Sequence, residues 1–371
     1  MILRMLEEGK ITAEEAEALL KALGEGQTSV EAEPQEDPWE RLEKMGEDFA
    51  SKVEVATERF ARSLEHNVGD KLHKLPKILA RFPFFGEESQ EFTRVVRGIV
   101  GPGEVIPVDL SNGNGPIRVQ GWTEDYYQLT VVQRLKGRDR ELLRGRLFEV
   151  PWEDRAEKTS FKLAVPSLGD GLIFLHLMVP EERVYQVDLR SQNGSLRVEN
   201  LKAKDLTLDS INGSTQLRSV KARLIRGEGG NGSCEMEGVE AKVIRHELGN
   251  GSYRISGSAS DVDLCTTNGS VNVRISEIRD ETRYELRTTN GAINVSLPYQ
   301  ADLGLSLDLQ TSVGRISAEL ASLEIARQER QGGGSVLTAH SPDYSDKADK
   351  IELQASSTSG SIIVSARDSG L

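Results

Sequence analysis

Two cysteines in 371 residues, Cys234 and Cys265, are too few for a disulfide framework, and so small a complement suits a reducing compartment. Long apolar runs are also missing. The longest, Leu172 to Pro180, is interrupted by His176 and falls far short of the roughly 20 residues that a membrane-spanning helix needs. A basic excess is lacking too: the formal charge is −13, and residues 1 to 50 hold 14 acidic against 5 basic side chains. That sign argues against nucleic acid as a partner. The opening MILRMLEEGK turns acidic at Glu7, so it has no basic-then-apolar secretion signal. The expected location is therefore cytoplasmic, or peripheral at the inner face of a membrane.

The residues that chemistry would require are scattered. His66, His73, His176, His246 and His340 stand neither at i, i+4 to one another nor beside a cysteine, so no metal is expected. Gly113 and Gly115 lie between strand-like segments rather than before a helix, which removes the context of a phosphate loop. No Ser-His-Asp or Cys-His arrangement can be assembled from neighbouring residues. The chain is thus expected to be neither an enzyme nor a cofactor protein.

Residues 1 to 24 read as a helical hairpin. Apolar Ile2, Leu3, Met5 and Leu6 precede a break at Gly9, and a second helix starts at Ala13. Thr12 with Glu15 forms a capping box, Gly24 closes the helix, and Ala16, Leu19, Leu20 and Leu23 share one face. Residues 25 to 38, with two prolines and no periodicity, read as a linker.

From Trp39 to Leu75 the apolar positions Trp39, Leu42, Met45, Phe49, Val53, Ala56, Phe60, Leu64, Val68, Leu72 and Leu75 recur at a mean step of 3.6. This is the period of a straight amphipathic helix, which Pro76 kinks or ends. Beyond it Lys71, Lys74, Lys77 and Arg81 accompany Phe82, Phe84 and Phe85 with no acidic residue in KLHKLPKILARFPFF. The segment from 39 to 85 is expected to cap the β-region that follows, the alternative being contact with a membrane surface.

From residue 185 onward the chain repeats itself. Asn193-Gly194, Asn212-Gly213, Asn231-Gly232 and Asn250-Gly251 are spaced 19 residues apart, and Asn268-Gly269 and Asn290-Gly291 continue the series less regularly. Val313-Gly314, Gly333-Gly334 and Ser359-Gly360 read as degenerate members. On a 19-residue ruler Val187, Leu206, Ile225 and Ile244 form one apolar column, and Val198, Leu217, Met236 and Ile255 another. Leu201, Val220 and Val239 make a third, followed by small Ala203, Ala222 and Ala241. Arg197, Gln216, Glu235 and Arg254 fill a polar column between them.

Asn-Gly alone signals a two-residue hairpin and antiparallel strands. Residue types held in register at a fixed period argue instead for stacked coils about 4.8 Å apart. The fold expected is mainly β, a β-solenoid of about 19-residue repeats over 185 to 371. A weaker opening β-section covers 92 to 184. The alternatives are an antiparallel sandwich or a hairpin array. Outward columns mix charge, and only Asp209, Glu228 and Glu247 form a like-charged row; a solvated face explains it, with cation or glycan contact as the alternative.

The motif LEEGKITAEEAEALLKAL resembles the short helical module in front of bacterial envelope-stress proteins similar to the daptomycin-sensing surface protein. The NGS-x-x-V repeats resemble the bacterial "putative adhesin" family of β-strand repeat proteins. The resemblance implies a β-solenoid that senses or scaffolds at the cell envelope, and protein partners are expected to meet the N-terminal helices. The alternatives are an adhesin-like surface protein that binds glycans along its rungs and a carbohydrate-active β-helix enzyme. The oligomeric state is not legible.

Overall fold

The computed structural model describes residues 89 to 367 apart from 168, 170, 301, 321 and 322. The expected helical hairpin 1 to 24, linker 25 to 38 and amphipathic segment 39 to 85, with Lys71, Lys74, Lys77, Arg81, Phe82, Phe84 and Phe85, lie outside the described residues.

Among the described residues twenty strands form one sheet. The first part of the chain holds β1 (Ser89–Ile99), β2 (Ile106–Asn114), β3 (Ile117–Trp122), β4 (Tyr126–Lys136), a short helix α1 (Arg140–Arg144), β5 (Phe161–Val165), β6 (Leu172–Pro180) and β7 (Val184–Asn193). Four long strands follow, β8 (Leu196–Asn212), β9 (Thr215–Asn231), β10 (Cys234–Asn250) and β11 (Tyr253–Asn268). Then come β12 (Val271–Ile275), β13 (Glu281–Asn290), β14 (Ile293–Pro298), β15 (Gly304–Val313), β16 (Ile316–Glu319), β17 (Glu324–Gln331), β18 (Gly334–His340), β19 (Lys350–Ser359) and β20 (Ile362–Arg367).

The long strands pair in parallel with each residue beside its counterpart 19 positions on: Leu196 with Thr215, Thr215 with Cys234, Cys234 with Tyr253. This is a β-solenoid and not a hairpin array. Its apolar columns face inward, with Val187, Leu206, Ile225 and Ile244 all at or below 2% exposure, and Val198, Leu217 and Met236 at or below 1%. Three of the long strands, β8, β9 and β10, turn at their fifth residue. Asn200 (φ 51°), Ser219 (φ 51°) and Gly238 (φ 60°) adopt the left-handed conformation that turns the chain through a second corner. The following rung lacks this residue, since Gly257 pairs with Val239, and the step from Asn250 to Asn268 is accordingly 18 residues. A loop between β12 and β13, ending at left-handed Asp280, lengthens the next step to 22.

The Asn-Gly pairs make the first corner, for a reason other than hairpin geometry. Each glycine packs on the glycine of the rung below, and its N–H donates to the asparagine carbonyl of the rung above, 2.8 Å from Gly213 to Asn231 and 3.0 Å from Gly232 to Asn250. A Cβ on Gly232, whose φ is 143°, would stand 2.3 Å from the Gly213 carbonyl oxygen. Backbone against backbone leaves no room for a side chain.

Chain order and stacking order differ at both ends. β2 and β3 lie between β5 and β6 on one side and β7 and β8 on the other, so the chain visits the second rung before the first. At the other end β19 and β20 insert between β13 and β14 on one side and β15 and β16 on the other. Antiparallel strands finish the stack: β4 beside β6 with β1 outside it, and β18 beside β15 with β17 outside it. Gly333-Gly334 is therefore no coil corner. Gly332 (φ 60°) and Gly333 (φ 104°) form the turn of the β17–β18 hairpin.

Gly232→Ala is expected to cost about 3 kcal/mol or more, because a side chain there meets backbone that cannot move without shifting two rungs. Gly145→Ala, at φ −69° with its nearest neighbour 3.7 Å away, should change stability by less than about 0.5 kcal/mol. Urea unfolding of the full chain compares the two.

Candidate functional site

The first corner is a ridge of side-chain amides. Asn212 donates through Nδ2 to Asn193 Oδ1 at 3.0 Å, Asn231 to Asn212 at 2.9 Å, Asn250 to Asn231 at 3.0 Å, Asn268 to Asn250 at 2.7 Å and Asn290 to Asn268 at 2.8 Å. These asparagines are solvent-exposed, but their amides are committed to one another. Beneath the ridge runs a hydroxyl column: Ser210 donates to the Gly194 carbonyl at 3.2 Å, Thr266 to Gly251 at 2.8 Å, Thr288 to Gly269 at 2.9 Å and Ser357 to Gly291 at 2.9 Å. Sequence reading missed this column. Its signal, a Ser or Thr two residues before the Asn, is broken in the middle by Gly229 and Leu248.

The face leading up to the ridge carries the acidic row. Parallel register places Asp209 beside Glu228 and Glu228 beside Glu247, as alternation along each strand demands. They line an open trough of about 430 Å³ together with Asp188, Arg190, Thr207, Arg226, Arg245 and Asp263. The Glu228 backbone N–H donates to Asp209 Oδ1 at 3.2 Å. The arginines have other neighbours: Arg190 meets Asp188, Arg226 Nε donates to Thr207 at 3.0 Å, and Arg245 donates through Nη1 to Asp261 at 3.0 Å. Burial raises the Asp188 carboxyl above the usual range, with Arg190 opposing and Asp109 and Asp209 adding to the rise. Among the described residues no three His, Cys, Asp or Glu side chains are grouped to hold a metal ion.

A second trough, about 470 Å³, lies over the small-residue column, where Ala203, Ala222, Ala241 and Ala259 form a floor between Lys221, Glu240, Lys242, Glu277 and Arg279. Lys221 and Glu240 pair across it at 2.9 Å. Both troughs are wide and shallow. They can take an extended chain lying across the rungs more readily than they can enclose a small molecule.

One titratable group that the sequence left unplaced sits inside the coil. His246 points into the core at 2% exposure, in the space left by Gly227 one rung below, where an added Cβ would lie 3.1 Å from the imidazole Cδ2. Its Nδ1 is 3.1 Å from the Tyr253 hydroxyl, which reaches the His246 carbonyl at 2.7 Å and the Cys265 carbonyl at 3.1 Å. The buried Nε2 has no hydrogen-bond partner. Burial lowers the imidazole pKa to about 4 and pushes the Cys234 thiol up to about 12. Cys234 faces inward and Cys265 is partly exposed. His176, beside Gln120 Oε1 at 3.2 Å, is also held well below its ordinary value, first by burial and then by Arg118 and Arg197.

The folded state resists charging His246, whereas the unfolded chain protonates near 6.5. Stability is therefore expected to fall as the pH drops from about 6.5 to about 4, by at most about 3 kcal/mol for this group. His246→Leu restores the leucine found in the same column at Leu208 and Leu264, and should flatten that loss. Urea midpoints of the two proteins at pH 7 and pH 5 measure it.

The family model for Toastrack DUF4097 matches residues 107 to 343, and that for a SHOCT-like domain matches residues 1 to 28. No curated protein matches the chain. One solved structure, of a "putative cell adhesion protein" from Clostridium sporogenes, aligns over 76% of this chain and 100% of its own with 14% identity. Its TM-score of 0.22 is too low to bear on this fold. The match to residues 107 to 343 spans well over half of the chain and takes in the whole uninterrupted run of rungs, so the chain belongs to the Toastrack DUF4097 family.

Proposed function

We propose that this chain is a non-catalytic binding or scaffold protein of the bacterial envelope-stress type. The coil serves as a rigid presenting surface and the N-terminal segment as the contact with protein partners. The observation that carries the reading is the unbroken run of rungs from Asn193 to Asn250, whose outward columns form open polar troughs rather than a closed cleft. An enzyme built on such a coil would need binding loops that interrupt it. The SHOCT-like match over residues 1 to 28 supports a separate module at the N-terminus. The basic aromatic stretch from Lys71 to Phe85 suits a weak peripheral membrane contact, and no helix among the described residues is long and apolar enough to cross a membrane.

A second reading, glycan binding of the adhesin type, draws on the acidic row Asp209, Glu228 and Glu247 beside the arginines of the same trough. Affinity capture from envelope-stressed bacterial cells with the full chain, and with a chain lacking residues 1 to 28, separates the two. Loss of the captured proteins on truncation is the expected result. Capture unchanged by truncation but lost in the Asp209→Asn, Glu228→Gln variant would transfer binding to the coil. Polysaccharide cleavage abolished by that same variant would make the protein an enzyme and end the scaffold reading.

A further inference from the structure

The two ends of the stack treat their free edges differently. Near β5 and β1 the segment 146 to 160 folds back over the edge: the Trp152 indole donates to the Lys162 carbonyl of β5 at 3.0 Å, and Val100 bridges Lys158. The Arg97 N–H of β1 is bonded to Asp154 Oδ1 at 2.9 Å, and Lys158 donates to the Ile99 carbonyl at 2.9 Å. Trp152 is buried there against Tyr127 and Phe161. This end is plugged. At the other end β17 pairs with β18 on one side and with no described strand on the other. Residues 324 to 330 are all exposed, so both faces of the strand stand clear of the core, and Ile325 is 56% exposed. An open edge of this length offers a row of backbone donors and acceptors to another chain.

The side chains say which chain. After an irregularity between Ile325 and Arg327 the strand reads Arg327, Gln328, Glu329, Arg330, Gln331. Arg327 and Glu329 sit two apart on one face and hydrogen-bond to each other at 2.9 Å. When a second copy runs antiparallel with Gln328 on the two-fold axis, Arg327 faces Glu329 of the second copy, and Glu329 faces Arg327 of the second copy. A one-residue slip sets Arg327 against Arg330 or against Gln328, and a two-residue slip sets Glu329 against Glu329 or Arg327 against Arg327. Among registers that place a residue on the two-fold axis, only the one centred on Gln328 makes two opposite-charge pairs and no like pair. Directly opposed charges are the unit by which antiparallel strands choose register, and a self-complementary patch is what a two-fold dimer requires.

We propose that β17 is a homodimer interface, in which two copies of this chain join edge to edge, antiparallel about Gln328, and so continue the sheet from one coil into the next. The contact is small and polar, and its dissociation constant belongs on the order of 10⁻⁵ to 10⁻⁴ M. The two coils would then face away from each other, each with its plugged end outermost.

Sedimentation equilibrium of the full chain over a concentration series reaching about 1 mM tests this, with Arg327→Glu, Glu329→Arg and the double exchange alongside and circular dichroism confirming the fold of each. Each single variant places like charges opposite each other and should weaken the dimer about tenfold or more. The double exchange should restore it, and an equimolar mixture of the two single variants should form a heterodimer. A wild-type monomer throughout the series overturns the proposal. So does a dimer of unchanged strength in both single variants, which would assign association to another part of the chain.

Discussion

At the first corner backbone lies directly on backbone, glycine on glycine from rung to rung. Everything else is set by that spacing. Once Gly194, Gly213, Gly232 and Gly251 are stacked, the asparagine before each must lie beside its counterpart, and their amides bond into a ladder. The hydroxyls of Ser210, Thr266 and Thr288 then reach the corner carbonyls from inside, so the polar groups of a tight bend are satisfied from both sides. A slip of one residue would lose both ladders and turn the apolar columns outward at the same time.

Such a stack pushes its difficulties to its ends. Interior rungs have neighbours above and below, but a terminal rung exposes both its edge and the mouth of the core. This chain answers by threading out of order, so that β2 with β3 and β19 with β20 are interior although they lie near the ends of the described sequence. Antiparallel strands then cover the terminal rungs. The aromatic plug of Tyr127, Trp152 and Phe161 completes one end, while the other finishes in a charged ribbon.

The outward surface follows from the same periodicity. One position repeated at every rung becomes a column, so a surface property is built by repetition rather than by bringing distant residues together. That is why the row Asp209, Glu228 and Glu247 was legible from spacing alone, and why the alanine-floored trough grows from a single small position. It also explains why the setting of His246 was not legible: its place in the core depends on Gly227 one rung away leaving room, and on Tyr253 arriving from the next rung with a hydroxyl.

The 19-residue period, the inward columns and the Asn-Gly corners were determined by the sequence itself, because alternation and fixed spacing are local properties of an extended chain. Residues 1 to 24, read from the sequence as a helical module, lie outside the described residues, and a SHOCT-like model matches residues 1 to 28. The sequence misassigned Gly333-Gly334, since a paired glycine looks the same in a coil corner and in a hairpin turn until the strands on either side are paired. The columns held in register also favoured parallel coils over hairpins, whereas the out-of-order rungs at both ends and the partners of the buried histidine were decided by tertiary structure alone. Each depends on which strand lies beside which, and contacts between residues tens of positions apart leave no periodic mark on the chain.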